Sequence, residues 1–193
     1  MKTFFKCMAA VAIGVGASGC KGNADTAKPD PSAGKKVLVC YFSATGTTKD
    51  VAEKLATITA ADIFEIKPEK PYTAADLDWT DKSSRSTIEM HDLSSRPAIV
   101  DVPDSVGSYD IIFLGYPNWW NMAPTIVNTF IEKAGLNGKT VVPFMTSGGS
   151  AIENSEQKLK AAYPEVKWVK GRLLNTLSQK ELSEWATDIV ANN

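Results

Sequence analysis

One histidine and three cysteines in 193 residues leave little material for metal or disulfide chemistry. A metal site needs several ligands at fixed spacing, and His91 with Asp76, Asp78 and Glu89 somewhere upstream does not supply them. Cys7 and Cys20 both fall in the N-terminal segment. Cys40 lies inside an apolar run, so it reads as a small core residue without a disulfide partner rather than as a nucleophile. Charge of one sign is also missing. The formal net charge is −1 and no long basic stripe occurs, which gives no support for a nucleic-acid partner. The length supports one domain with a substantial core and leaves no room for a second one.

What is present begins with a targeting pattern. Lys2 and Lys6 precede a short apolar stretch from Met8 to Val15, and Ala17-Ser18-Gly19-Cys20 follows. The apolar stretch is too short for a comfortable membrane span and reads as a signal peptide. Small residues ending in cysteine resemble a bacterial lipoprotein signal, with Cys20 as the lipidated N-terminus of the mature chain; plain secretory cleavage nearby is the alternative. Loss of residues 1–19 removes two lysines and no acids, taking the net charge from −1 to −3. Gly14-Val15-Gly16-Ala17-Ser18-Gly19 matches the dinucleotide fingerprint in its letters. No helix-forming sequence follows it, so it carries no weight. Residues 20–35, rich in Lys, Gly, Asn, Ala, Asp, Pro and Ser, read as a flexible tether, and residues 36–193 as the folded domain.

Within that domain the periodicity switches between strand and helix five times. Val37–Phe42 is an apolar run, and Thr47–Ala60 places Val51, Leu55 and Ile58 on one helical stripe. Asp62–Ile66 alternates like an edge strand ended by Pro68. The next forty residues are the least regular, with a helix expected around Ser83–Asp92. Asp110–Gly115 and Thr140–Met145 are buried strands, each followed by a helix, to about Ala134 and Ala162. Val166–Leu174 is expected as the last strand and Gln179–Val190 as the last helix. Alternating apolar strands and helices predict an α/β domain with a doubly wound parallel sheet covered on both faces. Such sheets bind ligands at the carboxyl ends of their strands.

Three of those ends carry unusual loops. The first, Ser43-Ala44-Thr45-Gly46-Thr47-Thr48, joins a strand to a helix N-terminus, where free N–H groups and the helix dipole favour an anion. It lacks the lysine of a triphosphate-binding loop, so a phosphate monoester is its natural occupant. A plain hydroxyl helix cap is the bland reading, but a cap uses one or two hydroxyls and this loop has four. The second loop holds Pro117, Asn118, Trp119 and Trp120. Two adjacent indoles cannot both enter the core, which leaves one to stack on a planar ligand or to serve in a hydrophobic lid. The third, Thr146-Ser147-Gly148-Gly149-Ser150, has little side-chain bulk and lets the main chain approach a ring edge. Tyr72 and Trp79 are further aromatics that either close over such a ring or pack.

Ser43–Thr48, Gly115-Tyr116-Pro117-Asn118-Trp119-Trp120 and Thr146–Ser150 resemble the FMN loops of the flavodoxin family, over about residues 36–190. The resemblance implies a five-stranded sheet of order 2-1-3-4-5. It also implies FMN as cofactor, with its phosphate in the first loop. Trp119 or Trp120 would lie on the ring, and Asn118 and the third loop at its polar edge. Two features depart from the electron-carrier pattern. Carriers have a glycine in the second loop whose peptide turns to the reduced flavin, and Trp119-Trp120-Asn121-Met122 has none. Carriers also place a tyrosine from the third loop on the ring, where this chain has Ser-Gly-Gly-Ser. Modest acidity is a third difference. The expectation is therefore an exported FMN redox protein of the cell envelope, anchored to the membrane through Cys20. It would exchange electrons with an external donor and a quinone-like or other small acceptor. The alternatives are a one-electron carrier serving a protein partner and a cofactor-free scaffold lipoprotein.

Overall fold

The computed structural model describes residues 34–193. The expected signal segment 1–19, Cys20 and the tether up to residue 33 lie outside these residues. In chain order the elements are β1 (Val37–Tyr41), α1 (Thr47–Thr59), β2 (Asp62–Glu65), α2 (Arg85–His91), β3 (Ile111–Pro117), α3 (Thr125–Ala134), β4 (Thr140–Thr146), α4 (Glu153–Ala162), β5 (Lys167–Trp168), β6 (Arg172–Leu173) and α5 (Gln179–Asn192). All strand pairs are parallel, in the order β2-β1-β3-β4, and β5 and β6 share the fifth position beside β4. This is the expected five-stranded flavodoxin-like sheet of order 2-1-3-4-5.

Alternation along the central strands divides the core in two. Leu38, Cys40, Ile112 and Leu114 pack towards Ile126, Val127 and Phe130 of α3 and Leu159 of α4. Val37, Val39, Ile111 and Phe113 pack towards Val51 and Leu55 of α1 and Leu182, Ala186 and Val190 of α5. Full burial of one such side chain contributes about 1.5–3 kcal/mol, against about 0–1 kcal/mol for an exposed ion pair such as Lys49–Glu53. Double-sided apolar burial therefore dominates the fold. Cys40 is fully buried, and burial pushes its thiol well above the ordinary range, so it is inert, in keeping with a core role.

The expected strand Val166–Leu174 is two short pieces. The carbonyls of Lys139 and Val141 accept from Lys167 N and Val169 N, and that of Met145 accepts from Leu174 N. Alternation gives Pro143 the same side of β4, where it has no N–H to offer the fifth strand. The ladder breaks at that point. Gly171 fills the gap, and a Cβ on it would lie 2.3 Å from the Pro143 carbonyl oxygen. Its N–H donates to the buried carboxylate of Glu156 at 3.3 Å.

Candidate functional site

The first loop ends β1 and starts α1 with Gly46 at φ 94°, a left-handed conformation that costs any other residue strain. Gly46 N donates to Ser43 Oγ at 3.1 Å, which tightens the turn. No side chain caps the helix, and its first i→i−4 bond is Asp50 N to Gly46 O at 3.0 Å. The N–H groups of Thr47, Thr48 and Lys49 therefore have no partner among the described residues. Four hydroxyls stand at the turn and none acts as the cap of the bland reading. Ser43 and Gly46 are half-buried and Thr45 and Thr47 exposed. Thr48 is turned inward, with its Oγ1 2.8 Å from Thr146 Oγ1 in a buried hydroxyl pair that joins the first loop to the third.

The second loop is a tight hairpin. Trp119 and Met122 exchange both backbone bonds, at 3.1 and 2.8 Å, around Trp120 and Asn121 at φ 47° and 62°. Turns of this hand normally hold glycine or asparagine at such positions, so an indole at Trp120 is held under strain. Asn154 Nδ2 donates to Asn121 O at 2.7 Å and braces the turn from α4. The two indoles diverge. Trp119 is half-buried, edge-on to Phe42 at 5.6 Å and to Tyr72 at 5.4 Å, whereas Trp120 stands 36% exposed.

Between these loops lies a cleft of about 330 Å³ lined by Ala44, Thr45, Pro117, Asn118, Trp119 and Trp120. Its remaining wall, Leu77, Trp79 and Ser86, comes from the irregular segment after β2. Two buried polar atoms of this lining, Asn118 Oδ1 and Ser86 Oγ, have no hydrogen-bond partner among the described residues. Burial without a partner costs about 1–3 kcal/mol for each such group, and Thr125 Oγ1 and Thr129 Oγ1 of α3, away from the cleft, are in the same condition. The third loop stands beside the cleft, not in its lining. Thr146 O accepts from Asn118 N at 2.8 Å, and Ser147 is held by Asn175 through both backbone groups, at 2.9 and 3.0 Å. Ser147 Oγ accepts from Gly149 N and Ser150 N, and Gly148 and Gly149 face open space.

The wall from the irregular segment is held by a triad. Tyr72 OH donates to Glu89 Oε2 at 2.6 Å and Arg85 Nε to Glu89 Oε1 at 2.7 Å, while the Arg85 guanidinium lies 4.0 Å over the Tyr72 ring. Burial and the bond to Glu89 both push the Tyr72 phenol up, so it stays protonated as the donor. Tyr72 thus packs under Trp119, while Trp79 lines the cleft. Leu77 and Ser86 are the lining residues that the sequence did not announce. The helix bearing Ser86 has seven residues and no long apolar stripe. Its one local sign is Ser84, whose Oγ accepts from Thr87 N as the N-cap.

Fold and cleft together define a doubly wound α/β protein with an uncapped helix start and an aromatic slot at the carboxyl edge of its sheet. The chain belongs to the flavodoxin family, which it matches over residues 36–189. It is similar to a candidate flavoprotein of Bacteroides eggerthii, at 53% identity and TM-score 0.78, over 82% of this chain and 99% of that one. One from Bacteroides uniformis matches at 53% identity and TM-score 0.76, over 79% and 97%. A flavoprotein of Lactobacillus acidophilus, solved in complex with FMN, shares the fold at 24% identity and TM-score 0.62, over 79% and 99%. Comparison with curated proteins gives no match.

Proposed function

We propose that this chain is an FMN-binding redox protein that passes electrons from an external donor to a small quinone-like acceptor. The observation that carries the reading is the cleft. An uncapped helix start borders one end, indoles border the other, and two buried polar atoms without partners lie in its lining. The residues fit the group. Backbone N–H groups at Thr47–Lys49 and the hydroxyls of Ser43, Thr45 and Thr47 would hold the phosphate. Trp119 gives the ring a floor and Trp120 an outer wall. Asn118 Oδ1 would accept from a ring N–H, and Ser86 Oγ would serve a second polar atom. FMN, when bound, supplies the electron chemistry; the chain binds, orients and shields it from water.

The braced Trp119–Met122 turn favours the reductase reading over the carrier. It is held from both sides and has no glycine to reorganise. Assay of NAD(P)H oxidation dependent on an added quinone tests this: sustained turnover supports it, and absence of turnover with electrons delivered only to a protein partner favours the carrier. The Cys20 signal supports an envelope location with lipid attached at that residue. Under this proposal, Cys20→Ala moves the protein out of the membrane fraction.

A further inference from the structure

The aromatic wall of the cofactor cleft has a second side. Trp79 and Trp120 also border a broader outer cleft of about 890 Å³, floored by α2 through Thr87, Ile88 and His91 and edged by Lys82. Its apolar side chains are open to solvent: Trp79 is 74% exposed, Ile88 57% and Trp120 36%. Exposed aromatic and aliphatic groups gathered beside a site mark a ligand surface. The two Trp119–Met122 backbone bonds hold Trp120 there in a left-handed backbone.

The polar groups of this cleft narrow its occupant. His91 stands tilted against Trp120, ring centroids 6.3 Å apart, with Nδ1 2.7 Å from the Thr87 carbonyl oxygen. A carbonyl only accepts, so Nδ1 carries the proton and Nε2 is left for a ligand. Lys82 has no ion-pair partner among the described residues. The Asp92 carboxylate, also at the cleft, is taken by Ser94 N and Oγ at 3.0 and 2.5 Å. One lysine is poor company for the paired phosphates of a dinucleotide. A flat uncharged ring carrying carbonyl oxygens matches both the stacking surface and the rim.

We propose that the outer cleft seats the quinone acceptor, its ring against Trp120 and Ile88 and an oxygen at His91 and Lys82. This rests on reading the inner cleft as the FMN site. The test is calorimetric titration of 2-methyl-1,4-naphthoquinone into the oxidised protein with no electron donor, both FMN-loaded and flavin-free. Saturable binding is expected in both forms. Ile88→Glu, at a solvent-facing position that borders only the outer cleft, weakens it by about tenfold or more with FMN affinity unchanged. His91→Ala weakens it several-fold and His91→Gln restores part. Three results overturn the seat: no binding to either form, binding that FMN displaces, or binding indifferent to Ile88→Glu. Failure to take up FMN would overturn the reading of the inner cleft instead, and the flavin-free titration would still decide the outer one.

Discussion

The two ends of the cleft are built on different principles. At the β1–α1 end, a regular strand-to-helix turn offers backbone donors that exist because helices begin with unpaired N–H groups. At the other end, an irregular segment, a strained hairpin and a triad of side chains hold aromatic and polar groups in place. The first is local and cheap to specify. The second depends on residues far apart in sequence, such as Tyr72 with Glu89 and Asn121 with Asn154. Each end should therefore fail in its own way. FMN and riboflavin, which differ only by the phosphate, separate the two failures.

The largest effect is expected from Glu89→Ala. It leaves Arg85 and the Tyr72 phenol without their shared acceptor in a largely buried setting, which costs about 3 kcal/mol. Thermal unfolding should show a midpoint lower by several degrees, with FMN and riboflavin weakened alike, because the aromatic floor loosens. Gly46→Ala strikes the other end. A Cβ there meets open space, so the penalty is the left-handed backbone, about 1–2 kcal/mol. FMN affinity should fall about tenfold and riboflavin affinity should not change. Equal loss for both ligands would place the phosphate elsewhere.

Asn118→Leu and Ser86→Ala sharpen the contrast in a less familiar direction. Each removes a buried polar atom that has no partner among the described residues, so the flavin-free protein should hold its stability or gain up to about 1 kcal/mol. Ligand affinity should drop several-fold for FMN and riboflavin together. A loss of stability without loss of affinity would mean that these atoms serve the fold, not a ligand.

The smallest effect is one of pH. Asp76, Asp78 and Asp81 hold the turn that carries Leu77 and Trp79, each accepting a side-chain and a backbone bond from Thr73, Thr80 and Ser83 respectively. Those bonds hold all three carboxyls below their ordinary value of 3.8. A depressed folded value contributes stability above the unfolded value and loses it as pH falls through the folded one. The wall should stay constant at neutral pH and loosen only in acid below that value. The difference in tryptophan emission between the parent protein and Trp79→Phe would follow it.

The sheet was legible because each central strand is a continuous apolar run and α1, α3 and α5, which cover it, each have an apolar stripe. Ser43–Thr48 and Pro117–Trp120 were legible because loops at strand ends declare themselves by unusual residues. Three things escaped. Pro143 announced its own missing N–H, yet the break it causes falls in the neighbouring strand. Thr48 looks like another phosphate hydroxyl in the letters, and only tertiary packing shows it paired with Thr146. Ser86 and Leu77 carried no periodic signal, because a seven-residue helix held by Tyr72, Arg85 and Glu89 owes its place to side-chain bonds and not to a stripe.

The most direct test of the whole account is titration of FMN into the flavin-free protein, followed by quenching of flavin fluorescence. The account predicts saturation at one FMN per chain, with riboflavin bound more weakly by the contribution of the phosphate. Fluorescence that stays unquenched at all protein concentrations, leaving a colourless protein after removal of free flavin, would contradict it.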